Sequence, residues 1–222
     1  MEELIKLEKF EIEVLEYLNS GKFLDNLVFV GGTMLRLCYG LNRFSNDLDF
    51  WVIKEMDFNK FFKKLKEHLE KKYMIKDAMN KFFTILFEIS SPSSPRNLKI
   101  EIRKEVKKIK KYEKTIAFSK YSNIQVFLNT LSLEDMLKFK IEGFINRKEI
   151  RDCFDIEFLC KSGVKLNIDK KLAQSLLKTI EKLNMKDYKV KLGAIVEKNA
   201  REYYIKKNFE FLKNILNRII FS

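Results

Sequence analysis

The chain has 222 residues, 46% of them hydrophobic and 20 of them Phe, which is enough for one large domain or two small ones around a proper core. Lys and Arg number 44 against 31 Asp and Glu, a formal net charge of +13 that favours a polyanionic partner such as nucleic acid, although a Lys-, Ile-, Asn- and Phe-rich composition also follows from an AT-rich genome. One histidine, His68, excludes a His-based zinc site or a Ser-His-Asp triad; no stretch reaches the about 18 apolar residues of a membrane span, and the acidic start Met1-Glu2-Glu3 is not signal-like, so a cytoplasmic protein with no membrane partner is expected.

Residues 3–19 read as an amphipathic helix, with Leu4, Leu7, Val14, Leu15 and Leu18 at three- and four-residue steps. The apolar run Leu27-Val28-Phe29-Val30 predicts a buried strand, Gly31 and Gly32 a strand-to-helix turn, and Thr33 to Tyr39 a helix. A second strand carries Asp47-Leu48-Asp49-Phe50 through about Ile53. A helix over 58–72 has one stripe of Phe58, Phe61, Phe62, Leu65 and Leu69. Two strands, 81–90 and 97–103, flank a Ser-rich loop that holds both prolines, Pro92 and Pro95. Residues 104–120 are strongly basic, 122–129 predict one more strand, and everything after Ser132 reads as four or five helical segments ending in 201–221. Cys38, Cys153 and Cys160 have no metal-ligand spacing and fall in apolar helical stretches, as reduced, buried thiols do. The expected fold class is therefore α+β: a mixed α/β domain over 1–128, then a helical domain over 129–222.

The chemistry concentrates on Asp47 and Asp49. Alternate strand residues share a face, so the two carboxylates point together while Leu48, Phe50 and Val52 point the other way. Two repelling acids call for a divalent cation, and Mg²⁺ held by one or two carboxylates normally carries substrate phosphates as well. The Gly31-Gly32 turn suits those phosphates, because backbone can approach closely there and helical N–H groups point outward. A two-metal site needs a third carboxylate on a neighbouring strand. Glu101, on the polar face of Leu98-Lys99-Ile100-Glu101-Ile102-Arg103, is the first candidate, with Glu105 and Glu88 next; an ordinary exposed glutamate is the plain alternative.

The helix opening at Ser132 holds an anomaly. Its apolar face runs Leu133, Met136, Leu137, Ile141, Phe144 and Ile145, and Lys140 falls on that face. Arg147, Arg151, Asp152 and Asp155 continue the polar insertion. Such a set fixes two helices by salt bridges, grips a triphosphate, where positive charge stabilises the charge of a transition state, or does both.

The stretch Gly31-Gly32-Thr33-Met34-Leu35-Arg36, followed by Arg43-Phe44-Ser45-Asn46-Asp47-Leu48-Asp49-Phe50, resembles the signature of the AbiEii/AbiGii-type nucleotidyltransferases. These are toxins of prokaryotic toxin–antitoxin and abortive-infection systems, related to the MenT toxins. Lys140, Arg147, Arg151, Asp152 and Asp155 match, in order and spacing, the family's helical Lys … Arg … Arg-Asp-x-x-Asp motif. The resemblance implies a polymerase β-type nucleotidyltransferase fold whose C-terminal helical bundle completes the nucleotide site. It implies transfer of a nucleoside monophosphate from an NTP to an acceptor, as some members do at the 3′ end of tRNA, with a cognate antitoxin as a possible partner. By position, Asp47, Asp49 and Glu101 would hold Mg²⁺ or Mn²⁺; Gly31, Gly32, Thr33, Arg43 and Ser45 would bind the triphosphate. Lys140 and Asp152 would be catalytic, and Arg147 and Arg151 nucleotide-binding. Glu101 stands where superfamily members often have Asp.

The run from Arg103 to Lys114 has seven positive charges against two negative, so an RNA acceptor would meet its backbone there, with Tyr112 available for stacking; a lysine-rich surface helix is the alternative. A protein or small-molecule acceptor, or a relative that binds nucleotide or nucleic acid without turnover, are the competing functional readings.

Overall fold

The computed structural model describes residues 1–106 and 112–221, so residues 107–111 of the basic run lie outside the described residues. Two compact units divide the chain, Met1–Ser132 and Leu133–Ser222. The boundary falls a little later than 128/129 because the last strand runs on to Leu131.

The first unit runs α1 (Glu2–Ser20), a 3₁₀ turn (Phe23–Asn26), β1 (Leu27–Val30), α2 (Gly31–Tyr39), β2 (Asp47–Val52) and α3 (Phe58–Glu70). Strands β3 (Met74–Asn80), β4 (Thr84–Ser90), β5 (Leu98–Val106), β6 (Tyr112–Phe118) and β7 (Gln125–Leu131) follow. All seven strands form one sheet in the order β3-β4-β5-β2-β1-β7-β6. The pairs β2–β5 and β1–β7 are parallel and the others antiparallel.

Period-two alternation gives the sheet two unlike faces. Leu48 and Phe50 share a face with Phe29, Ile100, Ile102, Ile85 and Phe87, all buried. Helices pack there: Phe62 of α3 stacks on Phe87 at 5.1 Å, and the Tyr39 hydroxyl of α2 lies 3.2 Å from that of Thr130 on β7. Helix α1 joins them through an Arg36–Glu8 ion pair at 2.5 Å and through Tyr17, which stacks on His68 at 4.1 Å. Tyr17 and His68 also exchange side-chain–carbonyl hydrogen bonds of 2.9 Å, so the single histidine is a tie between α1 and α3. Asp57 caps α3 by accepting from the N–H groups of Asn59 and Lys60 at 3.0 Å. Asp47 and Asp49 lie on the opposite face of the sheet from Leu48 and Phe50, with Lys99, Glu101 and Arg103 on the same side.

Two strands escape the sequence pattern. Strand β3 lies outside every predicted strand, and β6 falls in the segment read as basic surface. Helix α2 also begins earlier than expected, at Gly31 itself.

The second unit runs α4 (Leu133–Arg147), α5 (Ile150–Lys161), α6 (Lys170–Glu181), a π-helical turn (Asp187–Leu192), α7 (Lys198–Lys207) and α8 (Glu210–Phe221). The predicted continuous helix over 201–221 breaks at Asn208 and Phe209, which have φ of 46° and 54°. Phe209 turns fully into the core there, and Asn208 accepts a short hydrogen bond from Tyr188. The buried Glu157 carboxylate accepts from Lys161 Nζ at 2.5 Å, Tyr204 Oη at 3.0 Å and the Leu212 N–H at 3.3 Å, tying α5 to α7 and α8. Among the described residues no helix is long and apolar enough to cross a membrane.

Candidate active site

Strand β1 ends at Val30, and Gly31 opens α2 with φ +86°, a conformation open to glycine at little cost. That geometry brings the backbone under Asp49: a Cβ on Gly31 would stand 2.6 Å from Asp49 Oδ2. Asp49 is register partner to Val30 on β1 and to Glu101 on β5. The second glycine lies under the loop that follows α2. A Cβ on Gly32 would collide with the Arg43 guanidinium and come within 2.9 Å of Ser45 Oγ. Gly31, Gly32, Arg43, Ser45 and Asp49 thus meet at the N-terminus of α2, where the first N–H groups lack intrahelical acceptors and the dipole favours anions.

Thr33, expected among the phosphate contacts, has its side chain engaged within the protein. It is fully buried, and its hydroxyl donates to the Asp47 carbonyl oxygen at 2.6 Å. It fastens the start of β2 to the start of α2. Arg43 is also buried, donating from Nη1 to the Phe44 carbonyl at 2.9 Å.

Of the candidate third acids, Glu101 is the one level with Asp49. Its Oε1 lies 3.7 Å from Arg103 Nε, with more than a third of its side chain exposed. Glu88 is a strand further out, opposite Lys99, and accepts from Asn97 at 2.7 Å. Glu105 is beyond Asp49 along β5, in a cleft lined by Phe58, Phe82 and Phe83. Among the described residues no three His, Cys, Asp or Glu side chains converge as metal ligands. The donor set at hand is the Asp47/Asp49 pair beside a turn that a Cβ would fill. Two hard carboxylates beside the N-terminus of α2 fit Mg²⁺, which is usually held by one or two carboxylates together with water and substrate phosphates.

In the second unit Lys140 is buried, its Nζ 2.7 Å from Asp155 Oδ2 and 3.3 Å from Asp152 Oδ1. Arg147 reaches the other Asp152 oxygen, with Nη2 to Oδ2 at 3.0 Å. The four side chains form one network between α4 and α5, while Arg151 of α5 is exposed. The helix-fixing salt bridges and the anomalous lysine are therefore the same feature.

A sequence model described as nucleotidyl transferase AbiEii toxin, type IV toxin–antitoxin system, matches residues 13–214. The chain belongs to the AbiEii family. No curated protein matches it in sequence. Among solved structures it resembles JHP933 from Helicobacter pylori, at 20% identity over 98% of this chain and 95% of that one, with a TM-score of 0.60. It also resembles MenT4, a nucleotidyltransferase toxin of Mycobacterium tuberculosis, at 17% identity over 96% of this chain and 86% of that one, TM-score 0.55. These likenesses give the fold: a polymerase β-type mixed sheet followed by a helical region.

This AbiEii chain also contains a buried group that the sequence reading passed over. Glu8 and Glu11 of α1 are both buried. Glu8 accepts from Ser119 Oγ at 2.6 Å and pairs with Arg36, which also donates to the Leu41 carbonyl at 3.2 Å and lies 3.9 Å over the Phe44 ring. Arg36, quoted above in the motif without a role, thereby braces the loop that delivers Arg43 and Ser45. Glu11 has no hydrogen-bond partner among the described residues. Burial, then repulsion from Glu8, pushes its carboxyl well above the usual range, against a smaller pull from Arg36. A signal was present: Glu8 is four residues after Leu4, and Glu11 four before Leu15, on the apolar stripe.

Cysteine chemistry has no support. Burial pushes the Cys38 thiol up to about 12 and that of Cys160 to about 11, so neither carries thiolate near neutrality.

Proposed function

We propose that this AbiEii-family chain is a Mg²⁺-dependent nucleotidyltransferase that moves a nucleoside monophosphate from an NTP to the 3′ end of a tRNA, acting as a cytoplasmic toxin with a cognate antitoxin. The observation that carries the reading is the packing of the Asp49 carboxylate directly over Gly31. It brings an acid of the pair to a helix N-terminus of the kind that suits phosphates. The net charge of +13 favours RNA over a small-molecule acceptor.

In this reading the N–H groups of Gly32 and Thr33 receive triphosphate oxygens, and Ser45 donates to them beside Arg43. Asp47 and Asp49 hold the cation, which when bound neutralises phosphate charge. The acceptor hydroxyl oxygen bonds to the α-phosphorus as the bond to the pyrophosphate oxygen breaks, and pyrophosphate leaves with that electron pair. Glu101, level with Asp49, is proposed as the third carboxylate ligand and as the group that takes the hydroxyl proton. Lys140 and Asp152 are proposed as residues that transfer requires, and Arg147 and Arg151 as nucleotide-binding.

The test incubates the protein with Mg²⁺, total tRNA and each NTP labelled at the α-phosphate, with Asp49→Ala alongside. Label in the tRNA from the parent alone supports the reading and names the nucleotide. Label on protein moves the acceptor to a side chain. Label in tRNA from the Asp49→Ala protein as well overturns the metal assignment.

A further inference from the structure

The sheet carries a second feature on the Asp47/Asp49 side. Thr130 is the register partner of Phe29, on the helix-covered face, so Phe127 and Asn129 lie on the opposite face, with Val30 and Asp49. On β6 the residues of that same face are Tyr112, Lys114, Ile116 and Phe118, paired with Leu131, Asn129, Phe127 and Gln125. Three rings stand open: Tyr112 is 45% exposed, Phe118 51% and Phe127 56%, with Ile116 between them at 47%. Lys114 sits among them, its ammonium 5.5 Å from the centroid of Phe127. Neither strand places a carboxylate on this face, since Glu113 points to the other side. At about 4.8 Å per strand, β7 lies roughly 10 Å and β6 roughly 14 Å across the sheet from the Asp pair.

We propose that this face of β6 and β7 binds the unpaired end of a single-stranded RNA, with bases stacked on Tyr112, Phe118 and Phe127 and a phosphate on Lys114. The inference rests on the transferase reading, for which it supplies the acceptor's path. Open rings with a cation between them suit bases and phosphates, because every base offers a π-face and the backbone offers the counter-charge. A protein partner suits the face less well. Interface cores are depleted in Lys, and closing a dry surface over Lys114 would strip its ammonium of water with no carboxylate on either strand to receive it. The net charge of +13 points to the same class of ligand.

The test uses fluorescence anisotropy with a labelled single-stranded RNA of about 12 nucleotides, within the range that stacking sites take, and a blunt duplex of the same sequence. Each ring removed is expected to weaken single-strand binding about tenfold, so Phe118→Ala/Phe127→Ala loses about a hundredfold, while Phe127→Tyr binds like the parent. Lys114→Gln is expected to lessen the salt dependence by about one phosphate contact. These side chains are exposed, and an unchanged circular dichroism spectrum and Tm verify the fold. Single-strand binding by the folded double variant equal to the parent's overturns the proposal, as does a parent that prefers the blunt duplex. A parent dimer that the double variant abolishes without loss of RNA binding assigns the face to a second copy instead. The two readings separate cleanly, because the double variant should keep Mg²⁺–NTP binding and Asp49→Ala should keep single-strand binding.

Discussion

Lys140 and Asp155 form a buried ion pair between α4 and α5, with Nζ 2.7 Å from Oδ2. Asp152 stands on the other side of the same ammonium at 3.3 Å, and is shared with Arg147. A buried lysine held this way is part of the helical unit's packing whatever else it does. Removing one partner leaves uncompensated charge in the interior, which costs far more than the intact pair contributes.

Lys140→Met is therefore expected to destabilise the protein by about 3–5 kcal/mol, through the two carboxylates left behind. Lys140→Met with Asp155→Leu should recover much of that loss, Asp152 keeping Arg147. Urea unfolding of the three proteins measures it. A single variant as stable as the parent would show that the ion pair does not persist in solution. Activity lost by the double variant after stability has recovered would give Lys140 a role in transfer beyond packing.

Glu11 gives a pH-dependent prediction with the opposite sign. Its folded pKa is raised, by burial first, so the folded state favours the neutral acid. The stability this group allows is fully present below its unfolded pKa of about 4.3 and is lost as pH rises through the folded value. Glu11→Leu should be more stable than the parent at neutral pH by about 1–3 kcal/mol, the cost of an unpartnered buried polar group. The gain should shrink as pH falls toward about 4. Thermal unfolding of both proteins across that range decides it: a gain that does not vary with pH would mean packing, not ionisation, is its source.

The two strands that the sequence pattern hid are the two edges of the sheet, and this is no coincidence. Edge strands are kept from pairing with other chains by charges and irregularity, which erase the apolar alternation by which a strand is read. β3 carries Lys76 and Asp77 with a register shift between Ile75 and Asp77, and β6 is reached through the basic run. The central strands β1 and β2 are buried or half-buried with clean patterns, so the turn at Gly31 and the Asp47/Asp49 face were legible directly. Illegible were contacts that depend on the loop of residues 40–46: that Arg43 and Ser45 gather over Gly32, and that Thr33 turns its hydroxyl inward. Glu11 was legible by position on the helix stripe, but a charged residue type there is easily read as surface.

Thr33→Val tests the inward hydroxyl. Val keeps the shape and removes the donor to the Asp47 carbonyl. The loss should be about 1 kcal/mol of stability, with the carbonyl left short of a partner. Because that bond sets where β2 begins, KM for NTP should rise as well. If the hydroxyl contacted phosphate rather than the Asp47 carbonyl, its removal would raise KM with no change in Tm.

Gly31→Ala separates backbone strain from site geometry, because the chain supplies its own control. Gly31 and Gly40 both have positive φ, +86° and +76°. A Cβ at Gly40, which ends α2, would meet nothing within 4 Å, whereas at Gly31 it would stand 2.6 Å from Asp49 Oδ2. Both alanine variants should lose about 1–2 kcal/mol of stability from the left-handed backbone. The Gly31 variant must also push the Asp49 carboxylate aside, and a displacement near 1 Å at a reacting centre costs about a hundredfold in rate. Transfer by Gly40→Ala should stay near the parent's at a temperature where both variants are folded, while Gly31→Ala loses that factor. Equal activities in the two variants would mean that Asp49 does not work from the position above Gly31.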